Sequence, residues 1–453
     1  MPVMMKRALA ITLGAAACAA LPAAGEDLMD IYRDAVANDP ALGSARATWE
    51  ATQEVVPQAR AGLLPSVNLG AVANTQNFYE RLHASEVTPA VTFTSHFPTY
   101  NYTVSATQPL FRKQNLVAYD QAKQQIGQSD YVLAAAHQDL IVRVAQAYFD
   151  VLLAQFTIEL TESQKAAVSE NLAQAKRNFE VGTATITDTN DAQAKYDQIV
   201  AQELAVQNDL DNKIATLAAI IGRQPKELKR FRSGFQPDLP VPNSLDPWIQ
   251  LALRDNTQVQ IAKSNYDIAV LEVDKQRAGH LPTLDLVASF NQGYAGASAS
   301  SAGTAPLAYD SRLGLIGVQL NIPLYLGGSI DSRVRQAVAN LEATRQNLEG
   351  ARRTAQLTTQ TSFTGVTSGY AQIKAIEQAL VSAQVSYDST RVGLEVGVRT
   401  NLDVLNQQQQ VYQTRFNLAQ AYYNFVISQL KLKQAVGTLG EQDVEQVNRR
   451  LGG

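Results

Sequence analysis

One cysteine in 453 residues, Cys18, leaves neither a disulfide framework nor a thiolate metal site to be built. The four histidines, His83, His96, His137 and His280, are scattered, so an imidazole metal cluster has no local support either. Charge is scarce at 18% of residues, against roughly 25% in an average soluble domain. Lysine and arginine total 38 against 42 acidic residues, a net charge of −4 that lacks the basic excess of a nucleic-acid binder. There is no glycine loop ending in lysine to cradle a phosphate, no His-Glu-x-x-His and no Gly-x-Ser-x-Gly elbow. No catalytic, cofactor or metal site is therefore read from the chain. Beyond residue 25 no uninterrupted apolar run approaches the ~18 residues of a membrane-spanning helix, so any membrane crossing falls to strands.

Glutamine is abundant instead. Its 43 copies lie largely in segments poor in glycine and proline, where it favours helix and keeps a surface wet without adding net charge. Residues 1–25 read as a secretory leader: Lys6 and Arg7 begin it, residues 8–20 are its apolar stretch, and Ala23, Ala24 and Gly25 precede Glu26. Cys18 leaves with that leader. Ala15, three places before it, is not the larger aliphatic residue that lipidation needs.

The remaining chain repeats itself. Arg60-Ala61-Gly62-Leu63-Leu64-Pro65 returns as Arg277-Ala278-Gly279-His280-Leu281-Pro282 at an offset of 217. Pro109-Leu110-Phe111 answers to Pro323-Leu324-Tyr325 at 214, and Phe179-Glu180-Val181-Gly182 to Leu394-Glu395-Val396-Gly397 at 215. Landmarks that keep order and spacing define one unit of about 200 residues written twice. The first repeat spans 26–235, with strands at 66–77 and 100–108, a long helix at 113–180 and a return helix at 187–221. A connector at 236–246 carries Pro237, Pro240 and Pro242. The second repeat spans 247–440, with strands at 283–291 and 316–322, a long helix at 329–393 and a return helix at 401–436, and residues 441–453 close the chain.

Strict alternation marks the strands: Val67, Leu69, Ala71 and Ala73; Tyr100, Tyr102, Val104 and Ala106; Leu284, Leu286, Ala288 and Phe290; Ile316, Val318, Leu320 and Ile322. Alternation alone fits a half-buried soluble sheet as well as a lipid face. The long stretches between paired strands, 77–99 and 292–310, suit the outer loops of a membrane barrel, with Phe78, Tyr79, Phe93, Phe97, Tyr294 and Tyr309 as candidates for an aromatic girdle. The period then changes to three and four. Leu133, Ala136, Leu140, Val144, Ala147, Val151, Ala154 and Ile158 form a coiled-coil seam in the first long helix. Phe363, Val366, Tyr370 and Ile373 do so in the second, and Tyr412, Phe416, Tyr423, Val426 and Leu430 in the last return helix. Four strands cannot close a barrel, and an open edge in lipid leaves backbone groups without partners. Other copies must complete the ring: a dimer gives about eight strands and a narrow barrel, a trimer about twelve with room for a pore.

The whole chain after the leader resembles a TolC-type outer-membrane exit duct, and the likeness extends to Gly279-His280-Leu281-Pro282-Thr283-Leu284-Asp285-Leu286 and Gly437-Thr438-Leu439-Gly440-Glu441-Gln442-Asp443. The resemblance implies a mainly α fold with transmembrane β. In it a homotrimer closes a twelve-stranded outer-membrane β-barrel, continued by a twelve-helix periplasmic α-barrel, with a mixed equatorial belt that includes residues 441–453. It implies a common outlet for type I protein secretion and tripartite drug efflux. The partners would be outer-membrane lipid, a periplasmic adaptor (membrane fusion) protein and an inner-membrane pump, either an ABC or a proton-driven transporter. Enzyme chemistry and nucleic acid have no place in it. The competing class is a secreted coiled-coil filament protein, which long glutamine-rich helices also suit but duplicated amphipathic strands do not.

The informative places are the two turns between long and return helices, residues 181–191 and 396–406. From spacing alone, Arg399 four residues before Asp403 is a solvated ion pair of ~0–1 kcal/mol, and Asp403 suits the positive end of the last helix. The resemblance implies more. Arg399 would bond across to Thr187 and Asp188 as a gate latch, and Asp403 would form an acidic constriction ring that favours cations. Where the family carries a second acidic ring this chain has Asn406, so cation preference should be weaker. Where the family often has a tyrosine in the latch this chain has Leu394, so the closed state should be looser. The tips Val181-Gly182-Thr183 and Val396-Gly397-Val398 would dock the adaptor. Read without the resemblance, Gly182 and Gly397 are left-handed helix ends.

Overall fold

In the computed structural model, which describes residues 25–84, 90–231, 236–298 and 307–451, the alternating segments form one antiparallel sheet in the order β1-β2-β3-β4. β1 is Ser66–Leu82, β2 Val91–Phe111, β3 Thr283–Ser298 and β4 Leu307–Asn321. The strands run further than the sequence bounds suggest, because polar residues such as Ser95, Thr99, Gln292 and Arg312 continue the ladder where the apolar alternation has stopped. The leader, with Cys18, lies outside the described residues up to residue 24.

Each repeat supplies a hairpin, and β2 pairs with β3 across the repeats, Val104 opposite Phe290 and Tyr100 opposite Tyr294. That register gathers Val67, Leu69, Tyr102, Val104, Phe290 and Ile316 on one face, and Asn68, Thr103, Ser105, Ser289 and Asn291 on the other. Leu69 is 74% and Ile316 77% exposed, with nothing among the described residues to cover them. Such a face loses about 25 cal/mol per Å² in water and is stable only against lipid or protein. Among the described residues β1 and β4 each keep an unpaired edge.

The same register corrects the aromatic girdle. Tyr79 and Tyr294 lie on the apolar face, where Tyr294 stacks on Tyr100 at 5.9 Å between ring centres. Phe78, Phe97 and Tyr309 lie on the opposite face, and Phe93 falls outside the described side chains. Read as loop, these aromatics had no face; once paired, each takes the face its parity dictates.

The helices hang below the sheet. α1 (Leu28–Asn38), α2 (Pro40–Gln53) and α3 (Val55–Ala61) precede β1, and α4 (Lys113–Glu180) and α5 (Ile186–Ile221) follow β2. α6 (Leu245–Asp255) and α7 (Thr257–Arg277) precede β3; α8 (Ser329–Glu395), α9 (Asn401–Ala435) and α10 (Glu441–Asn448) follow β4. α4 is unbroken for 68 residues, roughly 100 Å at 1.5 Å per residue. Arg112, just before it, grips the buried Asp285 of β3 through two hydrogen bonds of 2.7 and 2.6 Å, fixing where the helix leaves the sheet. α2, α3 and α7 pack on the sheet-side half of the tube, α5 and α9 on the far half.

The core is a belt at mid-height. Within α4 the expected seam residues Leu140, Val144, Ala147, Val151 and Ala154 are buried, but so are Ile141, Ala145, Tyr148, Phe149 and Leu152. The helix is covered nearly all round here because α1, α9 and α10 join one cluster with it. α4 is also the one helix, among the described residues, with a window apolar enough to cross a membrane, and half of that window is buried. Phe149, Phe231 and Tyr423 stack mutually at 5.4 to 5.5 Å, tying the first repeat to the second.

Two end-to-end joints keep each side of the tube continuous. Val436 caps the end of α9, Gly437 turns with φ +79°, and the Asn256 cap of α7 donates from Nδ2 to the Ala435 carbonyl at 2.8 Å. Gln138 of α4 closes the joint by donating to the Gly437 carbonyl at 2.9 Å. In the first repeat Gly222, φ +76°, ends α5 against Asn38, beside the Asp39 cap of α2.

Candidate functional site: two matched helix turns

At the end of the tube farthest from the sheet, the chain reverses twice by the same geometry. After α4, the amides of Gly182 and Thr183 bond back to the carbonyls of Phe179 and Asn178 at 3.0 and 2.8 Å, with Gly182 at φ +79°. After α8, Gly397 and Val398 do the same to Leu394 and Gly393 at 3.0 and 2.9 Å, with Gly397 at φ +80°. An alanine at either glycine would be forced into the left-handed region, at about 1–2 kcal/mol.

Each return helix then begins with a reciprocal cap. The Asp188 amide donates to Thr185 Oγ1 at 3.2 Å, while the Thr185 amide and hydroxyl donate to Asp188 Oδ2 at 2.9 and 2.7 Å. Thr400 and Asp403 repeat this at 3.2, 3.0 and 2.9 Å. These bonds hold both carboxyls below the usual aspartate range. For Asp188 the Thr185 hydroxyl leads and its amide follows; for Asp403 the Thr400 amide leads, then its hydroxyl, with Arg399 adding a smaller pull. Asp403 is thus a helix cap, and no hydrogen bond from a described residue uses its Oδ1.

Between the turns lies a cavity of about 490 Å³ lined by Asn178, Asp188, Leu394 and Arg399 among others. Arg399 and Asp188 therefore face one space, but no hydrogen bond or ion pair among the described residues joins the guanidinium to Asp188 or to the exposed Thr187. Asn406 is exposed one turn beyond Asp403. At the tips Val181, Val396 and Val398 stand 73%, 68% and 75% exposed, a density of bare valine that a solvated loop has no reason to keep.

Thr185 and Thr400 carry a signal that sequence inspection can find: Thr-x-x-Asp, spaced as a capping box. Gly393 carries none. A helical glycine reads only as a weak helix position until the neighbour packed on it is known.

A sheet with an uncovered apolar face and two open edges, carried on helices roughly 100 Å long, defines a class: the subunit of an outer-membrane channel. The chain belongs to the outer membrane efflux protein family, whose match covers residues 31–223 and 248–438, one stretch for each repeat. It is 34% identical over 431 residues to outer membrane protein TolC of Vibrio cholerae, covering 94% of each chain. Against proteases secretion protein PrtF of Dickeya chrysanthemi it is 31% identical over 423 residues, 93% of this chain and 90% of the relative. The crystal structure of the Campylobacter jejuni CmeC outer membrane channel superposes with a TM-score of 0.77 over 94% of this chain and 90% of that one, a likeness of fold at 15% identity. The protein is an outer-membrane channel that extends into the periplasm, and its family is one of channels, not enzymes.

Proposed function

We propose that three copies close the sheet and helices into a passive conduit for type I protein secretion and small-molecule efflux. The conduit opens at its periplasmic tips when an adaptor and an inner-membrane pump, an ABC or proton-driven transporter, engage. The observation that carries this reading is the four-stranded sheet with a bare apolar face and two open edges, which lipid tolerates only in a closed ring. Twelve strands from three copies leave room for a pore, as about eight do not. Relatives named for protease secretion and for efflux support both kinds of cargo.

In the closed tube Arg399 bonds to Thr187 and Asp188 of the first turn and holds the α8–α9 coil inward. The shared cavity, and the absence of any other bond from a described residue to Asp188 Oδ1, support this contact. Leu394 lines the cavity and offers no hydrogen bond, so the latch is loose. The exposed tips, Val181, Gly182, Thr183, Val396, Gly397 and Val398, dock the adaptor. A photo-crosslinking residue at Thr183 or Val398 in intact cells should capture a periplasmic, inner-membrane-anchored helical protein; crosslinks only to other copies of this chain would contradict docking there.

Asp403 forms a ring of negative charge near the axis, followed by the uncharged Asn406. Asp403→Asn keeps an oxygen for the Thr400 amide but removes the charge, so the reversal potential in a salt gradient should move toward zero, with an unchanged potential speaking against the ring. The ring is also expected to outlast mild acid. Because the folded carboxyl is held below its ordinary 3.8, both its charge and its capping contribution are intact above that value and disappear only as pH falls through the lowered one. Cation preference measured from neutral pH downward should stay flat through mild acid and fall as pH approaches the lowered value.

A further inference from the structure

We infer that Gly393 is a positioning residue for the Arg399 latch, an inference that rests on the latch reading of Arg399. Gly393 is buried in the last turn of α8, and its φ is not left-handed, so the backbone does not require glycine there. Helix propensity would favour alanine. What excludes a side chain is Arg399: a Cβ on residue 393 would lie 2.7 Å from Arg399 Cγ and 3.4 Å from its Cβ. The carbonyl of the same glycine accepts the amides of Val398 and Arg399 at 2.9 and 3.1 Å, so the base of the arginine cannot retreat without opening the turn.

The duplicated chain contains its own control. At the matching place in the first turn the helix carries Asn178, whose carbonyl accepts the amides of Thr183 and Ala184 at 2.8 and 3.2 Å. There the residue matching Arg399 is Ala184, which has no Cγ. Backbone geometry is the same, yet the residue pair is asparagine with alanine in one turn and glycine with arginine in the other. The missing Cβ makes a notch in which the arginine stem lies, and the notch restricts which rotamers carry the guanidinium into the cavity lined by Asp188.

The test is a double-mutant cycle read by single-channel conductance of the purified full-length channel in planar bilayers. Gly393→Ala should raise conductance by roughly the same factor as Arg399→Ala, and should add nothing once Arg399→Ala has removed the Cγ it meets. Asn for Gly393 combined with Arg399→Ala reproduces the first turn's own pair, so it should fold and conduct like Arg399→Ala alone. Wild-type conductance in Gly393→Ala, with Arg399→Ala raised, would overturn the positioning role while leaving the latch intact. An equal increment from Gly393→Ala with and without Arg399 would overturn it in favour of a general effect on helix packing. Silence of Arg399→Ala itself would remove the latch and this inference together.

Discussion

Arg399→Ala is expected to raise single-channel conductance severalfold. The substitution makes the second turn like the first, where Ala184 occupies the matching place and the backbone reversal is the same, so the fold of the turn survives. What the substitution removes is the side chain that we propose bonds to Thr187 and Asp188 in the closed channel, from a cavity that Arg399 and Asp188 both line. Each such exposed contact is worth ~0–1 kcal/mol. Repeated once in each of three subunits of a ring that opens as a unit, the contacts sum to about 0–3 kcal/mol, up to a roughly 150-fold shift in the open fraction. Planar-bilayer recording separates the outcomes: larger unitary currents with the latch removed, or currents equal to wild type, which would mean that Arg399 is only a solvated neighbour of Asp403.

Gly437→Ala is expected to remove the protein from the outer membrane. Alanine is strained at φ +79°, by about 1–2 kcal/mol. The larger effect is steric: its Cβ would lie 2.1 Å from the Asp255 carbonyl oxygen and 2.9 Å from Asn256 Cα, both backbone atoms. α9 must then move off α7, breaking the bonds from Asn256 to Ala435 and from Gln138 to Gly437. Leaving such buried groups unpaired costs about 1–3 kcal/mol each, and the total rivals the ~5–15 kcal/mol that holds a domain folded. Gly222→Ala provides the comparison. Its φ of +76° imposes the same backbone strain, but the new Cβ meets the Asn38 Cβ at 3.1 Å, a contact that a small shift relieves. Quantified in outer-membrane fractions, the Gly437 variant should be lost and the Gly222 variant retained at a reduced level; equal levels of the two would show that the Asp255 contact does not set the joint.

The contrast between these two glycines shows what the sequence carried and what it withheld. The repeat, the strands and the long helices were legible because each imposes a period, of two, of three and four, or of about 215 residues. Strand parity also contained the faces of Phe78, Phe97 and Tyr309, but only once the strands are known to run on through stretches that read as loop. The belt around Tyr148 was half legible: a helix buried on two sides by separate partners shows only the stripe that faces one of them. The Arg112–Asp285 pair was hidden, since 173 residues separate partners that share no motif. At the turns the family likeness singled out Arg399 and Asp403. The capping role of Asp403 was visible in Thr-x-x-Asp, while Gly393 became legible only through the neighbour that lies on it.

Particle mass tests the central claim most directly. Protein extracted from outer membranes and weighed by light scattering with the detergent contribution subtracted should contain three chains per particle and stay assembled until the detergent is removed or the sample is heated. A single chain per particle, soluble without detergent, would contradict the closed ring on which the barrel, the tube and the gate all depend.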